Sequence, residues 1–340
     1  MRVIKYNYRD FYDDSINQTD FLGKLLRKHG YKCELSDCPQ YTVHFPYSGD
    51  SYLKYDGIRI FITGENIYPD FNLVDYAIGF DYLDFGDRYF RRPLYLGTGY
   101  EDDWIKAINK HLCIDFNSYH KRKFCNFVYS NSNADKKREE FFQLLGAYQT
   151  VDSGGRYLNN IGKCVENKLS FQQQYKFSIA FENASAPGYT TEKLMQAFAA
   201  GTVPIYWGDP LIAKEFNTKA FINCHDYNSF NDVIEIVKKI DNDDSLYYSY
   251  IKEPACTPTQ LKRAQNTIDD YEKFILHIFQ QPYEKAFRRN QSHAGWMYEK
   301  QRRVQLMELD TRKMTLPTLL KINARFAKQK IQTLVRDVHT

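Results

Sequence analysis

No run of about 18 apolar residues occurs in the chain, so the sequence offers no transmembrane helix. The opening MRVIKYNYRDFYDD lacks the apolar stretch of a signal peptide. Cysteine is sparse and odd in number. Cys33, Cys38, Cys113, Cys125, Cys164, Cys224 and Cys256 show neither the short paired spacings of a zinc site nor a disulfide framework. They read as reduced thiols, which predicts a cytoplasmic protein. A strong charge of one sign is also missing. A net charge of +4 falls short of the concentrated basic surface that nucleic-acid binders carry, so no nucleic acid is expected, whereas an anionic small ligand suits it. There is no internal repeat, no low-complexity tract, no phosphate-loop lysine motif and no paired-glycine dinucleotide fingerprint. The only Asp-x-Asp, Asp241 to Asp243, follows a helical pattern instead of ending a strand, and Tyr82, Leu83 and Phe85 interrupt Asp81, Asp84 and Asp87. No metal site is assigned to either group.

What is present fits an α/β chain of two domains, since 340 residues exceed one ordinary core. The 28 Tyr and 24 Phe suit either sugar-stacking surfaces or aromatic cores. FLGKLLRKHG, Phe21 to Gly30, reads as a helix with a glycine stop, and IRIFITGEN, Ile58 to Asn66, as a strand running into a turn. A fresh strand at Asn126 to Tyr129 leads into a helix carrying Phe141, Leu144 and Leu145, which suggests a second domain from about residue 119. Then come AFINC as a strand and SFNDVIEIVKKI as a helix with Val233, Ile234, Val237 and Ile240 on one face. Such alternation predicts parallel strands with ligands at their carboxyl ends. From Thr311 to Thr340 the chain holds seven Lys or Arg against one acidic residue, with Leu319, Ile322 and Phe326 at helical spacing after Pro317. A basic helix of this kind either rests on an anionic membrane surface or packs on its own domain.

The densest chemistry lies in KFSIAFENASAPGYTTEKLMQAFAAGTVPIYWGDP, Lys176 to Pro210. Phe177 to Phe181 read as a buried strand, Thr190 or a neighbour as a helix cap, Gly201 as the helix stop and Val203 to Trp207 as the next strand. Trp207 reads as packing. Asn183, Tyr189, Glu192 and Lys193 thus fall on the strand-to-helix loop where such folds bind ligands. A lysine in the first turn opposes the positive end of the helix dipole unless an anion is near, which points to a phosphate. Glu192 beside it suits a pair of ribose hydroxyls. A solvated Glu and Lys on an ordinary first turn have the same spacing.

This stretch closely resembles the signature of the α-1,3/4-fucosyltransferases, above all the bacterial lipopolysaccharide-modifying members such as those of Helicobacter. FITGENIYPDFNLVDYAIGFDYLDFGDRYFRRPLYL, Phe61 to Leu96, is similar to the family's acceptor-domain motif, and SGGRYLNNIG to its arginine-bearing loop. The resemblance implies a GT-B fold of two facing Rossmann-like domains with a cleft between them and a basic helical C-terminal tail. Residues 1–118 would bind the acceptor, 119–290 GDP-fucose, and 291–340 form the tail. No heptad repeats and no paired cysteines of the vertebrate kind are visible.

The implied activity is inverting transfer of L-fucose from GDP-β-L-fucose to N-acetylglucosamine in lactosamine-type glycans, as on Lewis-antigen-type lipopolysaccharide O-chains. Glu65 matches the family's proposed base. Arg156 and Lys193 match the residues that hold the pyrophosphate, Asn183 and Tyr189 donor hydrogen-bonding positions, and Glu192 the ribose-binding carboxylate. Arg91 and Arg92 either line the acceptor side or cap a surface turn. No cofactor is required beyond the donor substrate, with divalent ions stimulating by binding GDP. Of the two readings of the basic tail, resting on a membrane would give a cytoplasmic protein peripheral on the inner face of the membrane, and packing would not. The alternatives are a GT-B transferase for another nucleotide sugar and, more distantly, a non-catalytic glycan-binding or membrane-docking protein.

Overall fold

In the computed structural model, which describes residues 3–9, 20–46, 51–110 and 122–311, the β-branched and aromatic runs form parallel strands. By internal contacts the described residues divide into two units. The first takes residues up to Phe61, Pro69–Tyr76 and those from Gln281 on, and the second takes Ile62–Tyr68 and Ala77–Gln280.

The first unit opens with β1 (Ile4–Arg9), α1 (Phe21–Lys28), β2 (Cys33–Leu35), β3 (Tyr41–His44) and β4 (Ile58–Ile62), and these strands lie in the order β2-β1-β3-β4. Asp20 caps α1 by accepting from the Gly23 N–H, and Gly30, at φ +80°, ends the turn that follows. A turn of this sign is what the glycine stop anticipates.

Strand and helix alternate through the second unit. It holds β5 (Tyr76–Gly79), β6 (Tyr89–Arg91), α2 (Glu101–Ile108), β7 (Lys123–Phe127), α3 (Lys137–Tyr148), β8 (Val151–Ser153), α4 (Lys168–Gln172), β9 (Tyr175–Phe181) and α5 (Glu192–Ala199). After these come β10 (Val203–Trp207), β11 (Ile222–Asn223), α6 (Phe230–Asp241), α7 (Asp244–Lys252) and α8 (Pro258–Gln280). Its main sheet runs β11-β10-β9-β7-β8, so β9 is central and β10 its neighbour, and both are near-continuous apolar runs because helices cover both faces. Val233, Ile234, Val237 and Ile240 of α6 are buried in the core with Phe177, Phe181 and Trp207.

Two strands differ from expectation. The AFINC strand shrinks to Ile222 and Asn223. The strand expected at Asn126 to Tyr129 starts earlier, at Lys123, and leaves Tyr129 beyond its end. There the buried Tyr129 hydroxyl accepts from Phe181 N–H at 2.7 Å and donates to the Ile179 carbonyl at 2.9 Å, extending the link to β9 by a side chain.

The chain returns to the first unit through α9 (Tyr283–Ala286) and α10 (His293–Thr311). Asp75, fully buried, accepts from the N–H groups of Arg59, Arg288 and Arg289, and Arg59 pairs with Glu299 of α10 at 2.8 Å. These charges are tolerated inside because each is paired and hydrogen-bonded. The expected boundary near residue 119 and the residues Pro317, Leu319, Ile322 and Phe326 of the expected basic helix lie outside the described residues. Among the described residues no helix is long and apolar enough to cross a membrane.

Candidate active site

Glu182 is the first residue past β9, and its side chain is fully buried. Its carboxylate accepts from the Thr191 N–H at 2.8 Å, the Thr191 hydroxyl at 2.6 Å and the Lys193 ammonium at 3.1 Å. Thr191, the residue before α5, therefore turns its hydroxyl to Glu182 instead of capping the helix. Sequence reasoning expected an external anion to compensate Lys193. In the structure a carboxylate of the protein's own, Glu182, already pairs with it. Burial pulls the ammonium pKa down, but Glu182 and Glu192 outweigh it and hold Lys193 above its usual value. Burial raises the Glu182 carboxyl in turn, against the charge of Lys193. Glu192 opens α5 with Oε1 3.5 Å from Lys193 Nζ. Burial lifts its pKa, and Lys193 and Lys168 outweigh that and keep it below the ordinary range.

Between β9 and α5 the loop is tied to β10. The buried Asp209 carboxylate accepts from Gly188 N–H at 2.8 Å, the Thr190 hydroxyl at 3.1 Å and Leu211 N–H at 2.8 Å. Gly188 sits at φ +81°, and a Cβ there would lie 2.7 Å from the Phe80 carbonyl oxygen, so both conformation and space require glycine. That close approach seats Tyr189 against Phe80, with ring centroids 5.2 Å apart. The Tyr189 hydroxyl then lies 3.5 Å from Glu65 Oε2. Glu65 is half-buried in the turn after β4, where its N–H donates to the Thr63 hydroxyl at 3.0 Å and its carbonyl accepts from Ile67 N–H at 2.7 Å. A carboxylate and the loop that leads into α5, more than a hundred residues apart in sequence, are thus brought together through Tyr189.

Asn183 reaches the same loop by another route. Its amide oxygen accepts from Arg138 Nη1 at 3.0 Å, and Arg138, only 1% exposed, also donates to the Asn131 carbonyl while lying over the Tyr129 ring. With its oxygen engaged, Asn183 is left with an N–H₂ donor on a half-buried side chain. Arg156 is exposed on the turn after β8 and is not tied to the other four donor-site candidates. Gly155 before it packs so tightly on the Tyr129 backbone that a Cβ would sit 1.9 Å from that carbonyl oxygen.

Arg91 and Arg92 are engaged within the second unit. Arg91 pairs with the buried Glu215 at 3.0 Å and lies 3.9 Å over the Tyr82 ring, and Arg92 donates to the Leu96 carbonyl at 3.0 Å and covers Tyr271. Asp241 holds Lys176 at 2.5 Å and Asp243 caps α7, while Asp87 meets His277 at 3.0 Å. Among the described residues no cluster of His, Cys, Asp or Glu is placed to hold a metal ion.

Four residues that matter here escaped the sequence: Glu182, Arg138, Asp209 and Glu215. Glu182 had a signal, a carboxylate placed directly after a buried strand. Arg138 had none, since KKREE reads as a solvated helix start.

The chain matches two family models, the N-terminal domain of alpha-(1,3)-fucosyltransferase FucT over residues 6–97 and the C-terminal part of glycosyltransferase family 10 (fucosyltransferase) over residues 118–272. It is 40% identical to alpha-(1,3)-fucosyltransferase FucT of Helicobacter pylori over 223 residues, covering 57% of this chain and 46% of that protein. It is 32% identical to alpha-(1,3)-fucosyltransferase B of Drosophila melanogaster over 139 residues, covering 36% of this chain and 31% of that one. The chain thus spans under half the length of both relatives. A crystal structure of an alpha1,3-fucosyltransferase matches at TM-score 0.67 and 30% identity, covering 80% of this chain and 90% of that one. A structure of an alpha1,3-fucosyltransferase with GDP-fucose matches at 0.64 and 28%, covering 83% and 93%.

Proposed function

Because the chain belongs to glycosyltransferase family 10, the fucosyltransferases, and shares their GT-B fold, we propose that it transfers L-fucose from GDP-β-L-fucose to the 3-hydroxyl of N-acetylglucosamine in lactosamine-type glycans. The natural acceptor on this reading is a Lewis-antigen-type lipopolysaccharide O-chain. Residues 1–118 serve the acceptor and 119–290 the donor. The observation that carries the proposal is the 3.5 Å approach of Tyr189 to Glu65, which sets a carboxylate beside the loop that leads into α5, whose first turn bears Lys193.

The acceptor oxygen attacks the anomeric carbon of fucose as the bond from that carbon to the β-phosphate oxygen breaks, so the configuration inverts. Glu65 takes the proton of the attacking hydroxyl. GDP leaves with the electron pair, and its growing negative charge meets Lys193, Arg156 and the N–H groups that open α5. These groups carry that charge without a protein-bound metal. Asn183 donates its amide N–H and Tyr189 its hydroxyl to the donor, and Glu192 accepts from the ribose hydroxyls.

Incubation with GDP-fucose and either lactosamine or its type 1 isomer, followed by NMR of the products, tests the reading. The expected product is lactosamine bearing α-1,3-linked fucose. Release of GDP without any fucosylated glycan from either acceptor would contradict it.

A further inference from the structure

Three residues beyond Glu65, Tyr68 is 53% exposed although its ring lies on a rigid support. Its centroid is 5.6 Å from that of Phe80, which is buried, and Phe80 in turn lies against Tyr189, whose hydroxyl approaches Glu65. Gly188 fixes this stack, because its backbone meets the Phe80 carbonyl where no other residue fits. The outer face of Tyr68 is therefore held in a set orientation on the stack that reaches Glu65 through Tyr189. Ile67, 41% exposed, adds apolar surface at the same turn.

Asp81 follows Phe80 and is half-buried. One of its carboxylate oxygens accepts from the Tyr82 N–H at 2.8 Å, and its carbonyl accepts from the Tyr89 hydroxyl at 3.0 Å. Among the described residues the second carboxylate oxygen has no such partner. Asp81 thus adjoins the residue whose ring carries Tyr68, and burial and, after it, the charge of Asp81 raise the Tyr68 hydroxyl above its usual value. An exposed aromatic face next to an open carboxylate is a constellation for a neutral pyranose. The C–H face of the sugar lies on the ring, and its hydroxyls donate to the carboxylate.

We propose that Tyr68 and Asp81 form an acceptor subsite, with Tyr68 as the platform for a pyranose of the glycan and Asp81 as the acceptor of its hydroxyl protons. The proposal rests on the fucosyltransferase reading. It adds which side chains choose the glycan.

Steady-state transfer with GDP-fucose and lactosamine, run alongside acceptor-free hydrolysis of GDP-fucose, tests it on the full chain. Tyr68→Ala is expected to raise the acceptor KM about 5- to 10-fold, with kcat at saturating acceptor, the KM for GDP-fucose and acceptor-free hydrolysis all within about twofold of the native values. Tyr68→Trp is expected to keep the native acceptor KM, and Asp81→Asn to raise it about threefold. An unchanged acceptor KM in both Tyr68→Ala and Asp81→Asn, in variants with native thermal midpoints, would overturn the subsite while leaving the transferase reading intact. A native chain that binds GDP-fucose and transfers to no glycan would instead overturn the underlying reading, and the subsite with it.

Discussion

The ammonium of Lys193 lies 3.1 Å from a carboxylate oxygen of Glu182 at the junction of β9 and α5, with Glu182 fully buried and the Lys193 side chain 12% exposed. Removing one member of such a pair strands the other, which costs about 3 to 5 kcal/mol. Glu182→Gln should therefore lose stability on that scale in urea unfolding. The double variant Glu182→Gln/Lys193→Met should lose less than the sum of the two single changes. Additive losses would show that the two charges do not depend on one another.

Arg138 holds the amide oxygen of Asn183, leaving the N–H₂ group as the part that meets a ligand. In Asn183→Asp the new carboxylate still pairs with Arg138, so the thermal midpoint should not fall. The donor N–H is gone, and a negative charge faces a diphosphate. Calorimetry should show GDP binding weakened about tenfold or more. Native GDP affinity in this variant would remove Asn183 from the donor site.

Gly188→Ala combines a left-handed backbone with a Cβ 2.7 Å from the Phe80 carbonyl oxygen. A loss of about 2 kcal/mol in stability is expected, with a drop in transfer rate because Tyr189 and Glu65 are set by this contact. Denaturant unfolding and initial rates check the two parts separately. A variant with native stability would show that the loop yields freely.

Lys110 is 2% exposed, and burial lowers its pKa from 10.5 to about 7, with Glu253 opposing the fall. Between those two values the unfolded chain holds a proton that the native chain lacks, so stability rises with pH across this window. Urea midpoints from pH 6 to 9 should climb in the native chain and flatten in Lys110→Met. Equal slopes in the two chains would contradict the assignment.

The parallel α/β order was legible because β9, β10 and α6 are long, strongly patterned segments whose apolar positions match their burial. The strand-to-helix loop was legible for the same reason, since Asn183, Tyr189, Glu192 and Lys193 fall where β9 ends. What the sequence hid were partnerships. Nothing local shows that Glu182 neutralises Lys193 or that Arg138 turns inward to Asn183, because each contact is made by the folded chain across 11 and 45 residues. The two-residue β11 was over-read because AFINC is apolar enough for a strand, yet only Ile222 and Asn223 pair with β10. Arg91 and Arg92 read either as acceptor-side residues or as caps of a surface turn because adjacent arginines near a turn have no visible partner in sequence. Glu215, 124 residues on from Arg91, supplies one of them.

The measurement that tests the account most directly is acceptor-dependent GDP release from GDP-fucose with lactosamine, compared between the native chain and Glu65→Gln, with GDP-fucose binding followed by calorimetry. A fall in kcat of about 10²-fold or more is expected in Glu65→Gln while GDP-fucose still binds. Native turnover in Glu65→Gln would contradict the placement of the base.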